Sequence, residues 1–250
     1  MPRIYGRLTS LALDPIEKKP LARFRPGSLI LSAGSYGCNL RCPFCQNSEI
    51  SWSEEAMRLA DGDLGYVSPE KLAETAAYYR DRGNIGVAFT YNEPLVGYEY
   101  VRDTARLVKE DGMVNVLVTN GTASLDVLEE ISPYIDAMNI DLKGFSDIYY
   151  SSVLGGDRAM VMDFIEHAVR CCHVELTTLI VPGENDSDEE MREMTKWIAG
   201  LENGKETPLH ITRFFPRFMM TDRKATDVGL IYHLADVARE ELRYVYTGNC

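Results

Sequence analysis

Cys38, Cys42 and Cys45 stand in the run Cys38-Asn39-Leu40-Arg41-Cys42-Pro43-Phe44-Cys45, a spacing that lets three thiolates face one point. A cubane iron–sulfur cluster has four irons, so three cysteines leave one iron without a protein ligand. A small molecule bound at that iron would exchange an electron with it, which makes the loop the seat of a reactive cofactor. Other chemistries compete for the same spacing. Positions 38, 42 and 45 also share one face of an α-helix, as a buried cysteine stripe would. Pro43 opposes that, because a proline in mid-helix loses a hydrogen bond and clashes with the preceding turn. A structural zinc site wants a fourth Cys or His close by, and the first histidine in the chain is His167. Disulfides suit secreted chains, and nothing before the loop reads as a signal peptide. The expectation is one 4Fe-4S cluster, with a zinc-binding interaction module as the non-catalytic alternative.

Cys171 and Cys172 are adjacent and Cys250 is the last residue. Neither arrangement has ligand spacing, so they read as packing and tail residues. Thiols without an export signal point to a reduced, cytoplasmic setting. The net charge of −12 argues against nucleic acid or anionic membranes as partners. No run of about 20 apolar residues is present to span a bilayer. With 45% apolar and 26% charged residues the composition is that of an ordinary globular chain, and residues 1–250 are expected to form one domain.

Residues 1–27 read as an irregular N-terminal segment with a short hairpin, in which Asp14-Pro15-Ile16-Glu17-Lys18-Lys19-Pro20 is a charged turn. Beyond it, short apolar runs alternate with amphipathic stretches. Strands are expected at 29–33, 86–90, 114–118, 135–141, 174–181 and 209–215, and 244–246 is a candidate terminal strand. Helices are expected at 69–82, capped by Ser68 with Pro69 in first position, then at 97–111, after Ser124, and at 157–170, 187–200 and 226–242. Six βα units in regular order imply parallel strands with right-handed crossovers. A closed barrel of this type takes eight strands. Two missing strands, at about 4.8 Å each, leave a lateral opening of roughly 10 Å. The fold expected is α/β, a partial (β/α)6 TIM barrel of parallel strands, open laterally, with residues 28–247 as its core.

In such folds reactive groups gather at the C-terminal ends of the strands. The cysteine loop leaves the first strand and Thr90-Tyr91-Asn92-Glu93-Pro94 the second; Thr119-Asn120-Gly121 leaves the third and Asp141-Leu142-Lys143 the fourth. Polar groups at four successive strand ends are hard to attribute to packing. Each has a plainer alternative: a turn set by Pro94 with Glu93 in solvent, a good Asn-Gly turn pair, a surface ion pair between Asp141 and Lys143. His210 and Arg213 on the sixth strand alternate oppositely, so at most one of these two candidates faces the cavity.

The stretch from Gly37 to Cys45, with Phe44 just before the last cysteine, resembles the signature of radical S-adenosylmethionine (SAM) enzymes, and the resemblance covers about residues 28–247. It implies an open iron that chelates the amine and carboxylate of SAM. It further implies reductive cleavage to a 5′-deoxyadenosyl radical, which abstracts hydrogen from a substrate. Glu93 and Pro94 match the end of the family's Gly-Gly-Glu-Pro motif, whose backbone and Glu hold the SAM amino group. Tyr91 and Asn92 stand where glycines usually do, and Asn92 would supply a side-chain contact instead. Asp141-Leu142-Lys143 resembles the Asp-Leu-Lys motif of pyruvate formate-lyase activating enzymes. There the lysine approaches the SAM carboxylate and the aspartate helps hold a monovalent cation, although Val118 replaces the family's aspartate on strand three. Thr119-Asn120-Gly121 resembles the turn lining the SAM pocket.

The resemblance therefore implies Cys38, Cys42 and Cys45 as cluster ligands and Asp141 and Lys143 as catalytic residues. Phe44, Asn92, Glu93, Thr119, Asn120, Asp141, Lys143, His210 and Arg213 make up the cofactor-binding set. Compact size and Val181-Pro182-Gly183 point to the glycyl-radical activating branch. Within it, Cys45-Gln46-Asn47, the 14–20 turn and the 90–94 motif look most like the AmmeMemoRadiSam subgroup. The implied activity is hydrogen abstraction from a glycine of a partner enzyme, driven by a reductant such as flavodoxin or ferredoxin. Radical modification of a small molecule or a peptide is the second reading.

Overall fold

Along Leu29–Gly34 successive side chains turn opposite ways, and both ways are buried. Ile30 joins an apolar cluster with Ala88, Val116 and Ala137, whereas Leu31 and Ala33 join the larger cluster that the helices build. Strands covered on both faces belong to a parallel sheet with helices outside it. The computed structural model describes residues 4–54, 58 and 65–250. Its strands are β1 (Ser10–Pro15), β2 (Leu29–Gly34), β3 (Asn84–Thr90), β4 (Val114–Thr119), β5 (Ala137–Asp141), β6 (His173–Ile180), β7 (Leu209–Arg213) and β8 (Val245–Gly248). They form one sheet in chain order. β1 runs antiparallel to β2, and each later strand runs parallel to the one before. Among the described residues β1 does not pair with β8, so the α/β sheet is a partial barrel.

The helices are α1 (Ser48–Ser51), α2 (Pro69–Tyr78), α3 (Tyr98–Glu110), α4 (Leu125–Ile131), α5 (Arg158–Ala168), α6 (Asp188–Ala199) and α7 (Val228–Arg239). Ser68 caps α2 by accepting from Lys71 N–H, and Pro69 opens it. The helix predicted to reach 82 stops at Tyr78. Arg80–Arg82 tighten into a 3-10 turn that ends on Gly83 at φ +88°.

Two strands are added to the six expected, so the opening inferred from two missing strands does not hold; among the described residues the sheet is open only because β1 and β8 do not pair. β8 realises the terminal candidate, and β1 arises inside the segment read as irregular, with β2 rather than a local hairpin arm as its partner. After β1 the chain from 16 to 25 turns into the barrel and fills its N-terminal end. Ile16 and Leu21 are fully buried there, and Phe24 packs on the same cluster. Residues 1–3 of this segment lie outside the described residues.

The charged turn is not in solvent. Lys19 is 2% exposed and donates to Asp14 at 3.0 Å, which also accepts from the Ser32 hydroxyl at 2.9 Å and the Tyr91 hydroxyl at 2.8 Å. Burial by itself would raise the Asp14 pKa, but donors on Lys19, Tyr91, Lys18 and Ser32 hold it below the carboxylate range. On the other side of the barrel Glu175 accepts the N–H of Ala22 at 2.9 Å and of Arg23 at 2.7 Å. It also binds Nε2 of His173 at 2.9 Å and of His210 at 2.7 Å. An ionised carboxylate only accepts, so both imidazoles carry a proton on Nε2. Asn139 Nδ2 donates to the Pro20 carbonyl at 2.9 Å. Contacts from β2, β5, β6 and β7 thus fasten the segment as a plug.

Candidate active site

At the opposite end β2 stops at Gly34 and the chain passes through Gly37, at φ +92°, into Cys38. Asn92 holds this approach: its Oδ1 accepts Ser35 N–H at 3.0 Å, and its Nδ2 donates to the carbonyls of Tyr36 at 3.1 Å and Gly37 at 3.0 Å. The connections after β5 and β7 anchor the loop itself. Arg41 N–H donates to Leu154 O at 2.7 Å, and Met219 N–H donates to Pro43 O at 2.9 Å. Phe44 is buried edge-on against Phe214, with ring centroids 6.3 Å apart. All three cysteines are free thiols. Cys38 Sγ accepts Leu40 N–H at 3.4 Å and Asn120 Nδ2 at 3.6 Å, and Cys45 Sγ lies 3.8 Å from the Ser51 hydroxyl. Burial pushes the Cys38 thiol up to about 11. Burial also raises Cys42, against the nearby charge of Lys143.

Glu93 follows β3 and is buried, which removes the reading of a solvated turn residue. Its Oε1 accepts Leu95 N–H at 3.0 Å and the Thr119 hydroxyl at 2.7 Å, and its Oε2 accepts Asn120 N–H at 2.7 Å. Burial lifts its pKa to about 7 against those three donors. The carboxylate therefore ties the end of β3 to the end of β4 and aims Asn120, whose Nδ2 reaches both Cys38 Sγ and Asn39 Oδ1, the latter at 2.9 Å. At the end of β5 Lys143 Nζ meets Asp141 Oδ2 at 2.6 Å, with side chains 18% and 30% exposed. Burial alone would lower the Lys143 pKa; Asp141 and the Cys42 and Cys38 sulfurs more than reverse that. The ammonium stays charged beside the cysteine loop.

One mouth thus gathers Cys38, Cys42, Cys45, Glu93, Thr119, Asn120, Asp141 and Lys143, with Asn92 and Phe44 bracing the loop. His210 and Arg213 do point opposite ways. His210 sits inside the barrel, two strands from Asp141 in one register row, bonded to Glu175 and stacked on Tyr246. Arg213 is outside this group, donating to Thr226 O at 2.7 Å across the Phe215 ring. Val118 packs on the interior apolar cluster.

Several supporting residues escape sequence reasoning. Tyr91 occupies the glycine position of the motif at φ +77°, a strained conformation for a bulky residue, and its hydroxyl is moored on Asp14. Asn47 donates to Tyr91 O at 2.5 Å, Asn185 to Lys143 O at 2.7 Å, and Lys143 N–H to the Tyr150 hydroxyl at 3.0 Å. Tyr91 carried a signal through its glycine position in the motif and Asn47 through the Cys-Gln-Asn run; Tyr150 and Asn185 carried none.

The donor set fits an iron–sulfur cluster. It consists of soft sulfurs, with N–H groups and a lysine charge directed at them. Among the described residues no group of three or more His, Cys, Asp and Glu side chains closes on a single ion. A cubane asks for another arrangement, in which each cysteine binds its own iron around a shared centre.

Residues 33–197 match the Radical SAM superfamily. An uncharacterized protein of Methanocaldococcus jannaschii is 38% identical over 249 residues, covering 98% of this chain and 71% of that protein. A pyruvate formate-lyase-activating enzyme of Clostridium pasteurianum is 28% identical over 203 residues, 80% of each chain. The pyruvate formate-lyase 1-activating enzyme of Escherichia coli is 26% identical over 183 residues, 70% of this chain and 71% of that one. Among solved structures, Streptococcus suis SuiB bound to S-adenosylmethionine aligns with a TM-score of 0.66 at 14% identity, over 86% of this chain and 48% of that chain. SuiB bound to a precursor peptide gives 0.65 at 12% identity, over 86% and 47%. Likeness at such identities concerns the fold.

Proposed function

Because the chain belongs to the radical SAM superfamily, and is an enzyme of that class, we propose that it activates a partner protein by removing a hydrogen atom from one of its glycines. The observation that carries this reading is the meeting of the cysteine loop with Asp141 and Lys143 at the mouth of a barrel left open along one side. A lateral gap suits a polypeptide loop, and relatives named as activating enzymes cover most of this chain. When bound, the cluster and SAM supply an electron and a 5′-deoxyadenosyl radical that takes the hydrogen.

Cys38, Cys42 and Cys45 would each hold one iron. Lys143, kept charged by Asp141, offers its ammonium to the SAM carboxylate, a charge-assisted contact in a partly dry cleft. Glu93 works through its neighbours, fastening Thr119 and Asn120 so that the amide stays on Cys38. Asn92 and Phe44 keep the loop in place. The monovalent cation has the least support, because Lys143 engages Asp141 at 2.6 Å and Val118 offers no side-chain oxygen. Flavodoxin or ferredoxin would deliver the electron in a cytoplasmic setting. No helix among the described residues is long and apolar enough to cross a membrane.

The test is anaerobic reconstitution with iron and sulfide, reduction, and addition of SAM with candidate partner proteins. Partner-stimulated release of 5′-deoxyadenosine, with a glycyl radical on the partner by electron paramagnetic resonance, is expected. Nucleoside release that never leaves a protein radical would refute the partner assignment. A second reading, radical modification of a peptide or small molecule, draws on the shared fold of peptide-bound SuiB, and a mass change in such a substrate would favour it.

A further inference from the structure

Ser51 is 3% exposed, and its hydroxyl lies 3.8 Å from Cys45 Sγ. Its position is fixed from two sides. Ser51 N–H donates to Asn47 O at 3.0 Å, and the Asn47 side chain is bonded to the Tyr91 carbonyl. The other two cysteines are served differently. Cys38 receives Leu40 N–H and the Asn120 amide, and Cys42 is influenced by the Lys143 charge without a hydrogen bond from it. Cys38 and Cys45 therefore each have a hydrogen-bonding side chain beside the sulfur, and Ser51 is the one that no motif predicts.

We infer that the Ser51 hydroxyl, hydrogen-bonded to Cys45, raises the reduction potential of the cluster and so eases its one-electron reduction. The inference rests on the cluster reading given under Proposed function. In the free protein the Cys45 thiol is the donor and Ser51 accepts. An iron-bound thiolate has no proton to give, so the hydroxyl turns round and donates to sulfur. Accepting one electron makes the cluster more negative and its sulfurs stronger acceptors. A fixed donor then stabilises the reduced form more than the oxidised one, which moves the potential up. Ser51 touches neither SAM nor substrate in this scheme; it acts through Cys45.

The experiment compares native protein, Ser51→Ala and Ser51→Thr after anaerobic reconstitution. Circular dichroism reports folding, iron and sulfide content reports loading, and a dithionite titration followed by electron paramagnetic resonance reports the midpoint. Ser51→Ala should load fully, yet its ratio of reduced to oxidised cluster at a fixed potential should fall about tenfold, which is 59 mV for one electron. Ser51→Thr keeps the hydroxyl and should restore the native ratio. An unchanged midpoint in fully loaded Ser51→Ala, or a shift that threonine does not reverse, overturns the inference. So does an unfolded or iron-free Ser51→Ala, because the hydroxyl would then be a requirement of the loop. A native protein that takes up no iron and sulfide removes the reading underneath instead, and is told apart by that first measurement.

Discussion

Replacing Glu175 by Gln should cost about 3 kcal/mol at neutral pH, and the cost should shrink as pH falls below 4.5. Glu175 is fully buried. Burial alone would raise its pKa, but His173, His210 and the N–H groups of Arg23 and Ala22 bring it down to about 2 from 4.5. At about 1.4 kcal/mol per pKa unit the folded state prefers the ionised form by about 3 kcal/mol. Between those two pH values the unfolded chain binds more protons than the folded one, so stability rises with pH across the window. The contribution is complete above 4.5 and is lost as pH falls through 2. Gln keeps the shape and one acceptor but cannot titrate. Urea unfolding of cluster-free protein at pH 3 to 8 should therefore show a native-minus-variant gap that is widest at pH 7 and narrows steadily below 4.5. A gap that is constant with pH, or below about 1 kcal/mol at pH 7, would show that the charge does not hold the plug.

Cys42→Ala should abolish iron and sulfide uptake while leaving the circular dichroism spectrum intact; a loaded variant would remove the ligand assignment. Lys143→Ala should keep the cluster but weaken SAM binding about tenfold to a hundredfold, read by equilibrium binding, because it deletes one charge-assisted contact. Unchanged affinity would end its proposed role. Tyr91→Phe deletes the hydroxyl on Asp14 and should lower the urea midpoint by roughly 2 kcal/mol worth of stability, with SAM affinity held; no loss would mean the hydroxyl is solvated.

Most of the mouth is legible in the chain because Glu93, Asn120, Asp141 and Lys143 stand where short apolar runs break off, and a parallel sheet carries such breaks to one end. Alternation also separates His210 from Arg213 without any coordinates. Pairing across distance is another matter. Glu175 meets Ala22 from 153 positions away, and no local pattern announces it. Lys19 sits in a proline-flanked run of charges whose ordinary meaning is a solvated turn, yet Asp14 takes it inside. β1 is hidden for the same reason, since its partner lies beyond that run. Tyr91 contradicts the rule that a left-handed position belongs to glycine, and its compensation, the hydroxyl on Asp14, is again long-range. Ser51 is a serine like any other until its neighbour is known.

With residues 16–25 corking its base, the barrel has no through passage from end to end. Under the proposed reaction, nucleotide and substrate would arrive by the mouth or the open side, never through the base, and spent nucleoside would leave past the cysteine loop.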